Sequence, residues 1–230
     1  MTWFLKDKAP KNSPAAPTSS LPAASPTLEQ SIRSHLAPIL REDGFSGSGR
    51  TFQRLAVDMI LVVQVQGSRS GRSFAVNLGI HPACIPIMGD APPSKMKPDL
   101  CILSRRLTET GGDQWWDYIS TKESMDAAIT KAAYVYEAVG RPAFEKLVGP
   151  SSPLRTVSPQ QFAVGQFDFA GFGSTIVMMA KTLALIRLAA GDTHGAQAFA
   201  RIGLDRLGSA LGQLRELRAI DQGIWRKEDW

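Results

Sequence analysis

Histidine, cysteine, glutamine and arginine are the residues of this 230-residue chain best able to act on or hold another molecule. Nucleophilic catalysis needs a Ser, Cys or Thr beside a base, and that base beside an orienting carboxylate. The three histidines offer little of this. His35 falls in a proline-interrupted helical pattern, and His194 opens a late helix. Only His81, at a strand end before Pro82, sits among polar strand residues. Cys84 and Cys101 form no C-x-x-C and have no histidine at ligand spacing, so neither a zinc site nor any other cofactor is expected. Buried reduced thiols are one reading of the pair, and a disulfide between them is the other. Asp99, Glu109, Asp113 and Asp117 cluster in the chain, but turns and caps account for carboxylates at such positions. Gly44-x-x-Gly47-x-Gly49 follows a helix and enters a strand. That is the reverse of the strand-to-helix order that sets a phosphate on a helix N-terminus.

Amides and guanidinium groups remain. Gln64, Gln66, Asn77 and Arg105 fall on neighbouring strands as candidates for one surface, with Arg69 and Arg72 at the connecting tip and His81 beside them. Such groups recognise carboxylates, phosphates or exposed backbone, and none is a strong acid or base near neutrality. Binding is therefore favoured over catalysis, the plain alternative being a solvated sheet face with cross-strand hydrogen bonds. Trp115 and Trp116 join the candidate surface, because adjacent residues in extended chain point to opposite sides. One tryptophan then packs in the core, and the other is placed to anchor an interface.

The elements that must position these residues follow from periodicity. Residues 1–26 hold five prolines among Ala, Ser, Thr and Lys and are expected to be a disordered tail, with Trp3-Phe4-Leu5 at its start. Thr27 and Gln30 predict a capping box, and Leu28, Ile32, Leu36, Ile39 and Leu40 repeat at helical spacing up to Gly44. Pro38 should kink or split that helix. Thr51 to Leu55, Met59 to Gln66, Ser73 to His81 and Asp99 to Arg105 read as four strands. Phe74, Val76, Leu78 and Ile80 alternate with Ala75, Asn77, Gly79 and His81, giving the sheet one apolar and one semi-polar face. Ser120 to Glu123 predicts a second capping box, before a helix stopped by Gly140 and Pro142. A short helix to Val148 and an irregular connection over 149–173 follow. A helical hairpin over 174–220 completes the chain, its stripes being Ile176 to Ala190 and Ala200 to Leu214, with Gly191-Asp192-Thr193 between them. The fold class is α+β: an antiparallel sheet of about four strands flanked by helices in an α+β domain over 27–148, plus the hairpin and the tail.

Several motifs occur in linked order: Gly44-Phe45 through Gly49-Arg50-Thr51-Phe52-Gln53-Arg54, then Val62-Val63-Gln64-Val65-Gln66-Gly67-Ser68-Arg69, then Phe74-Ala75-Val76-Asn77-Leu78-Gly79. This order resembles the DUF4304 family over about residues 30–140. Ile102, Arg105, Arg106 and the Trp115-Trp116 pair match that family's later positions. Val65 and Ser70 depart from it, standing where the family carries aromatic residues. The resemblance implies a fold, with no activity, cofactor or catalytic residue attached.

Lys and Arg total 26 against 21 Asp and Glu, a net charge of +5 and a pI near 9.4. The excess is spread along the chain, which disfavours nucleic acid as the partner and leaves a protein with an acidic surface as the expected one. Neither a signal-type apolar run nor a membrane-length segment is read, and the location expected is the cytoplasm. These residues fit a non-enzymatic protein-binding domain of bacterial type, immunity-like in that it would neutralise a toxin by occlusion. A small-ligand binder or enzyme around the polar sheet face is the first alternative, and a nucleic-acid binder the second.

Overall fold

The computed structural model of the chain describes residues 26–87, 96–209 and 211–226. The expected tail, apart from Pro26, and its Trp3-Phe4-Leu5 triplet lie outside the described residues.

Thr27 accepts from the Gln30 amide and the Gln30 side chain returns to the Thr27 amide, closing the expected capping box on α1 (Leu28–Ser31). The helix then widens into a π turn over Ile32–Leu36 and resumes as α2 (Ala37–Glu42). The cause is Pro38, which lacks an N–H and whose ring crowds the carbonyl four residues back. The Ala37 amide accordingly reaches past the usual acceptor to the Ile32 carbonyl.

Six strands follow, two more than the alternation alone reveals. They are β1 (Ser46–Ser48), β2 (Thr51–Ala56), β3 (Met59–Gly67), β4 (Ser73–Pro82), β5 (Leu103–Arg106) and β6 (Trp116–Asp117). The order is β1-β2-β3-β4-β5, all antiparallel, with β6 also paired to β4 beside Ser73 and Phe74. β5 is shorter than its expected span. Pro98 opens a 3-10 turn over Pro98–Leu100, and only from Leu103 does the chain run against β4.

Thr121, not Ser120, caps α3 (Lys122–Val135), accepting from the Ser124 amide. The stop expected at Gly140 is instead a second π turn, Tyr136–Gly140, leading into α4 (Arg141–Val148). Pro142 stands two residues beyond this turn as Pro38 stands beyond the first, and again an amide, that of Arg141, reaches five residues back to Tyr136. The stretch 149–173 carries α5 (Pro153–Thr156) and α6 (Pro159–Ala163), each capped by a serine, Ser152 and Ser158.

α7 (Ile176–Ala189) and α8 (Thr193–Asp205) form the expected hairpin, Asp192 capping α8 through its carboxylate and the Gly195 amide. The second stripe does not continue to Leu214 in one helix. The chain turns at Gly208, which takes the left-handed φ of +50° that glycine tolerates, and restarts as α9 (Leu214–Asp221).

One face of the sheet packs on the helices. Phe52, Leu61, Val63, Val65, Phe74, Val76, Leu78 and Ile80 are buried there, in a single apolar cluster that also takes in Leu28, Ile129, Phe144, Leu183, Phe199 and Ile220. Burial of each such side chain contributes about 1.5–3 kcal/mol, and this shared core is what orients the opposite face. Cys84 and Cys101 are not joined in a disulfide. Among the described residues no helix is long and apolar enough to cross a membrane.

Candidate binding face

Because successive side chains of a strand alternate sides, the residues between the core positions make up a second face. Register places Thr51 beside Gln64, Gln64 beside Asn77, and Asn77 beside Arg106. Gln53 and Val62 are paired on this side as well. The face is divided. Toward the end of β3 that starts it, Ile60 and Val62 are covered by Met96 in a small apolar cluster of their own, and the Gln53 amide donates to the Met96 carbonyl at 2.5 Å. The residues 96–101 thus form a strap across the sheet. Gly79 lets it approach: a Cβ there would lie 2.6 Å from Cys101 Sγ and 3.1 Å from the Pro98 Cα. Burial pushes the Cys101 thiol up to about 12, with Asp99 adding to the rise, so this sulfur is a packing group rather than a nucleophile.

Beside the strap the polar part of the face forms an open groove of about 670 Å³, with Gln64, Gln66, Asn77, Lys97, Ser104 and Arg106 in its lining. Gln66 Oε1 accepts from Asn77 Nδ2 at 2.8 Å and from Arg106 Nη1 at 3.4 Å. No hydrogen bond among the described residues holds the Gln64 amide, which leaves both its donor and its acceptor for a guest. Arg106 is fixed from its other side. Its Nε lies 2.8 Å from Asp113 Oδ1, and its guanidinium stacks 5.1 Å from the centre of the Trp115 ring. Trp115 Nε1 donates to Asp113 Oδ2 at 3.0 Å, and this bond, followed by the charge of Arg106, holds the Asp113 carboxyl below its usual range.

Four of the expected surface residues border this groove, Gln64, Gln66 and Asn77 with their side chains and Arg105 at its edge. Arg69 is exposed at the tip of the β3–β4 hairpin, beyond the groove. Trp116 is buried and stacks on Phe74 at 5.5 Å, while Trp115 stays 37% exposed, the split expected of adjacent strand residues. Arg105 also borders the groove, but its side chain turns to the other side of the sheet. It pairs with Leu78, whose side chain faces the core, and its Nη1 donates to the Ala170 carbonyl while its guanidinium covers the Phe172 ring. The arginine of the polar face is its neighbour Arg106, because β5 enters the sheet later than the pattern implies. His81 is also withdrawn. It is fully buried, with Nε2 at 2.8 Å from the Ile85 carbonyl. That nitrogen therefore carries the ring proton, Nδ1 has no partner, and burial lowers the pKa so that the ring stays neutral.

Sequence reasoning missed Lys97, Ser104 and Arg106. Ser104 and Arg106 carry no alternation signal in a strand as short as Leu103–Arg106, and Lys97 arrives on the strap. Among the described residues no group of three or more His, Cys, Asp or Glu could hold a metal ion.

Residues 36–146 match the family model DUF4304, a domain of unknown function, so the likeness carried by the motifs is a match over that segment. No curated protein and no solved structure matches the chain.

Proposed function

We propose that this chain is a non-enzymatic protein-binding module whose DUF4304 segment engages another protein through the groove beside the strap. The observation that supports the reading is the character of that groove: amide, hydroxyl, ammonium and guanidinium groups and one carboxylate, Asp99, with no histidine or cysteine in the lining. Lys97, together with the Arg106 guanidinium nitrogens that Asp113 leaves open, suits a carboxylate on the partner, and the amides suit exposed backbone or carboxylates. An immunity-like role, in which the partner is a bacterial toxin blocked by occlusion, is the specific form of this proposal. That Cys84 and Cys101 form no disulfide supports a reducing compartment, the bacterial cytoplasm in this reading.

Two other readings have less support. An enzyme site built on His81 and Arg105 would need them in one cavity, and they point to opposite sides of the sheet, each tied to a backbone carbonyl. Nucleic-acid binding would need a field of free arginines. Arg50, Arg141, Arg155 and Arg201 are instead paired with Glu29, Asp43, Asp58 and Asp221.

The test is affinity capture of the tagged full chain from its native lysate, in parallel with Arg106→Ala and Gln64→Ala variants of unchanged melting temperature. A single stoichiometric protein, lost or reduced at least tenfold in the variants, is the expected result. A partner retained by both variants, or nucleic acid alone on the beads, overturns the proposal.

A further inference from the structure

Outside the segment that matches the family, α9 and the turns flanking it enclose a second groove of about 760 Å³, distinct from the sheet face. Its character follows from how α9 spends its charges. Glu216 turns inward to the buried ammonium of Lys181, which also donates to Gln213 Oε1 at 2.8 Å. Asp221 pairs with Arg201 at 2.7 Å. Both carboxylates of the helix are thereby neutralised from within the molecule, and Leu217 and Ile220 dock it on the core. Arg215 and Arg218, one turn apart on the outer side, have no ion pair among the described residues, and both line the groove.

The apolar part of the lining is equally unspent. Leu211 is 65% exposed and Ile224 63% exposed, one on each side of α9, with Leu214 between them in the same lining. Two large aliphatic side chains left open beside two uncompensated guanidinium groups form a mixed site. Apolar contact supplies affinity there, and charge selects the guest. The Lys181 clamp holds the floor of the groove to α7, so binding does not have to order it first.

We infer that this groove is a second docking site, and that its occupant is an acidic amphipathic segment of another protein, with carboxylates set for Arg215 and Arg218 and aliphatic side chains for Leu211 and Ile224. Charge complementarity decides the occupant: among the described residues the outer side of α9 offers two positive charges, Arg215 and Arg218, and no unpaired negative one. A purely apolar guest would leave both guanidinium groups unmatched.

The probe is a fluorescein-labelled synthetic helical peptide carrying Leu and Glu at helical spacing, titrated with the full chain and followed by anisotropy. Its counterpart with every Glu replaced by Gln, and vesicles of anionic phospholipid, are titrated alongside. The expected result is saturable binding of the acidic peptide, weakened at least tenfold by the Gln peptide, by Arg215→Gln with Arg218→Gln, and by Leu211→Ser with Ile224→Ser. It should be unchanged by Arg69→Gln with Arg72→Gln, which removes the same charge from the distant hairpin tip, and by Arg106→Ala, which separates this site from the sheet groove. Equal loss in the Arg69 and Arg72 variant would reduce the effect to bulk charge and overturn the inference. So would absence of peptide binding, binding of vesicles alone, or binding that appears only when residues 227–230 are removed, which would assign the groove to the chain's own end.

Discussion

Arg155 grips Asp58 with both ends of its guanidinium fork, Nη1 lying 2.7 Å from Oδ2 and Nη2 bonded to Oδ1. The pair joins α5 to the tight β2–β3 turn. There Val57 adopts a φ of +57°, a conformation that β-branched residues rarely enter. The turn is held from a second side by the Ala83 amide, which donates to the Asp58 carbonyl at 2.7 Å.

Removing the fork by Arg155→Ala should cost about 0.5–1 kcal/mol at pH 7, a modest value because both side chains are partly solvated. The hydrogen bond from Arg155 holds the Asp58 carboxyl below its usual range. A depressed carboxylate stabilises the fold above its unfolded pKa of about 3.9 and stops doing so as pH falls through the lower folded value. Urea unfolding of the two proteins should therefore show a gap at pH 7 that closes by about pH 2. A gap that stays constant with pH would mean the loss is one of packing.

Tyr136 presents a second linkage of opposite direction. Its hydroxyl donates to Asp43 Oδ2 at 2.8 Å, the same oxygen that Arg141 Nε reaches at 2.8 Å. Burial, and then the Asp43 carboxylate, raise the phenol's pKa above its ordinary value. A raised group stabilises the fold below its unfolded pKa, about 10, and that contribution is lost as pH rises further. Tyr136→Phe should cost about 1–2 kcal/mol at neutral pH and flatten the alkaline decline in melting temperature. An unaltered alkaline limb in the variant would contradict this.

Arg187 is buried in α7, with Nη1 at 3.2 Å from the Leu154 carbonyl and Nη2 at 2.7 Å from that of Val157. Arg187→Met strands both carbonyls and should destabilise by about 2–4 kcal/mol. Arg187→Lys should not restore stability, since an ammonium cannot span two acceptors in the fork's geometry. Chemical denaturation of the two variants decides the matter: recovery in the lysine variant would show that charge alone matters.

Gly79→Ala tests the strap. With no room for a Cβ against Cys101 and Pro98, the strap must shift, at a cost of about 1–3 kcal/mol. Cys101 is half-buried at the end of the strap and its thiol is held protonated, so its modification by a disulfide reagent should accelerate at least tenfold in the variant. Unchanged kinetics would show that the strap is not held at Gly79.

The parts of this architecture written in local pattern were legible in the sequence. The alternation through Phe74, Val76, Leu78 and Ile80 located the core side of β4, and adjacency divided the Trp115-Trp116 pair between core and surface, though only the structure shows that Trp116 is the buried one. What escaped was set by distant partners. The choice between Arg105 and Arg106 depends on Asn77 pairing with Arg106 across the sheet, a register that Leu103–Arg106 does not encode by itself. The burial of His81 depends on the chain doubling back to present the Ile85 carbonyl, and Gly79 took its meaning from a strap that the sequence suggested was a strand. The break at Gly208 was hidden because the aliphatic residues on either side keep a helical beat.

The two widened helical turns, Ile32–Leu36 and Tyr136–Gly140, make the chain tolerant of a change in length where helices usually are not. In an uninterrupted α-helix a lost residue rotates everything beyond it by about 100° and turns an apolar stripe away from its core. Each wide turn already holds one residue in excess of the α pattern. Losing that residue tightens the ring and leaves Leu40 on one side and Phe144 on the other in phase with the sheet. Shortening by one residue at these two places should thus keep both apolar stripes turned to the sheet.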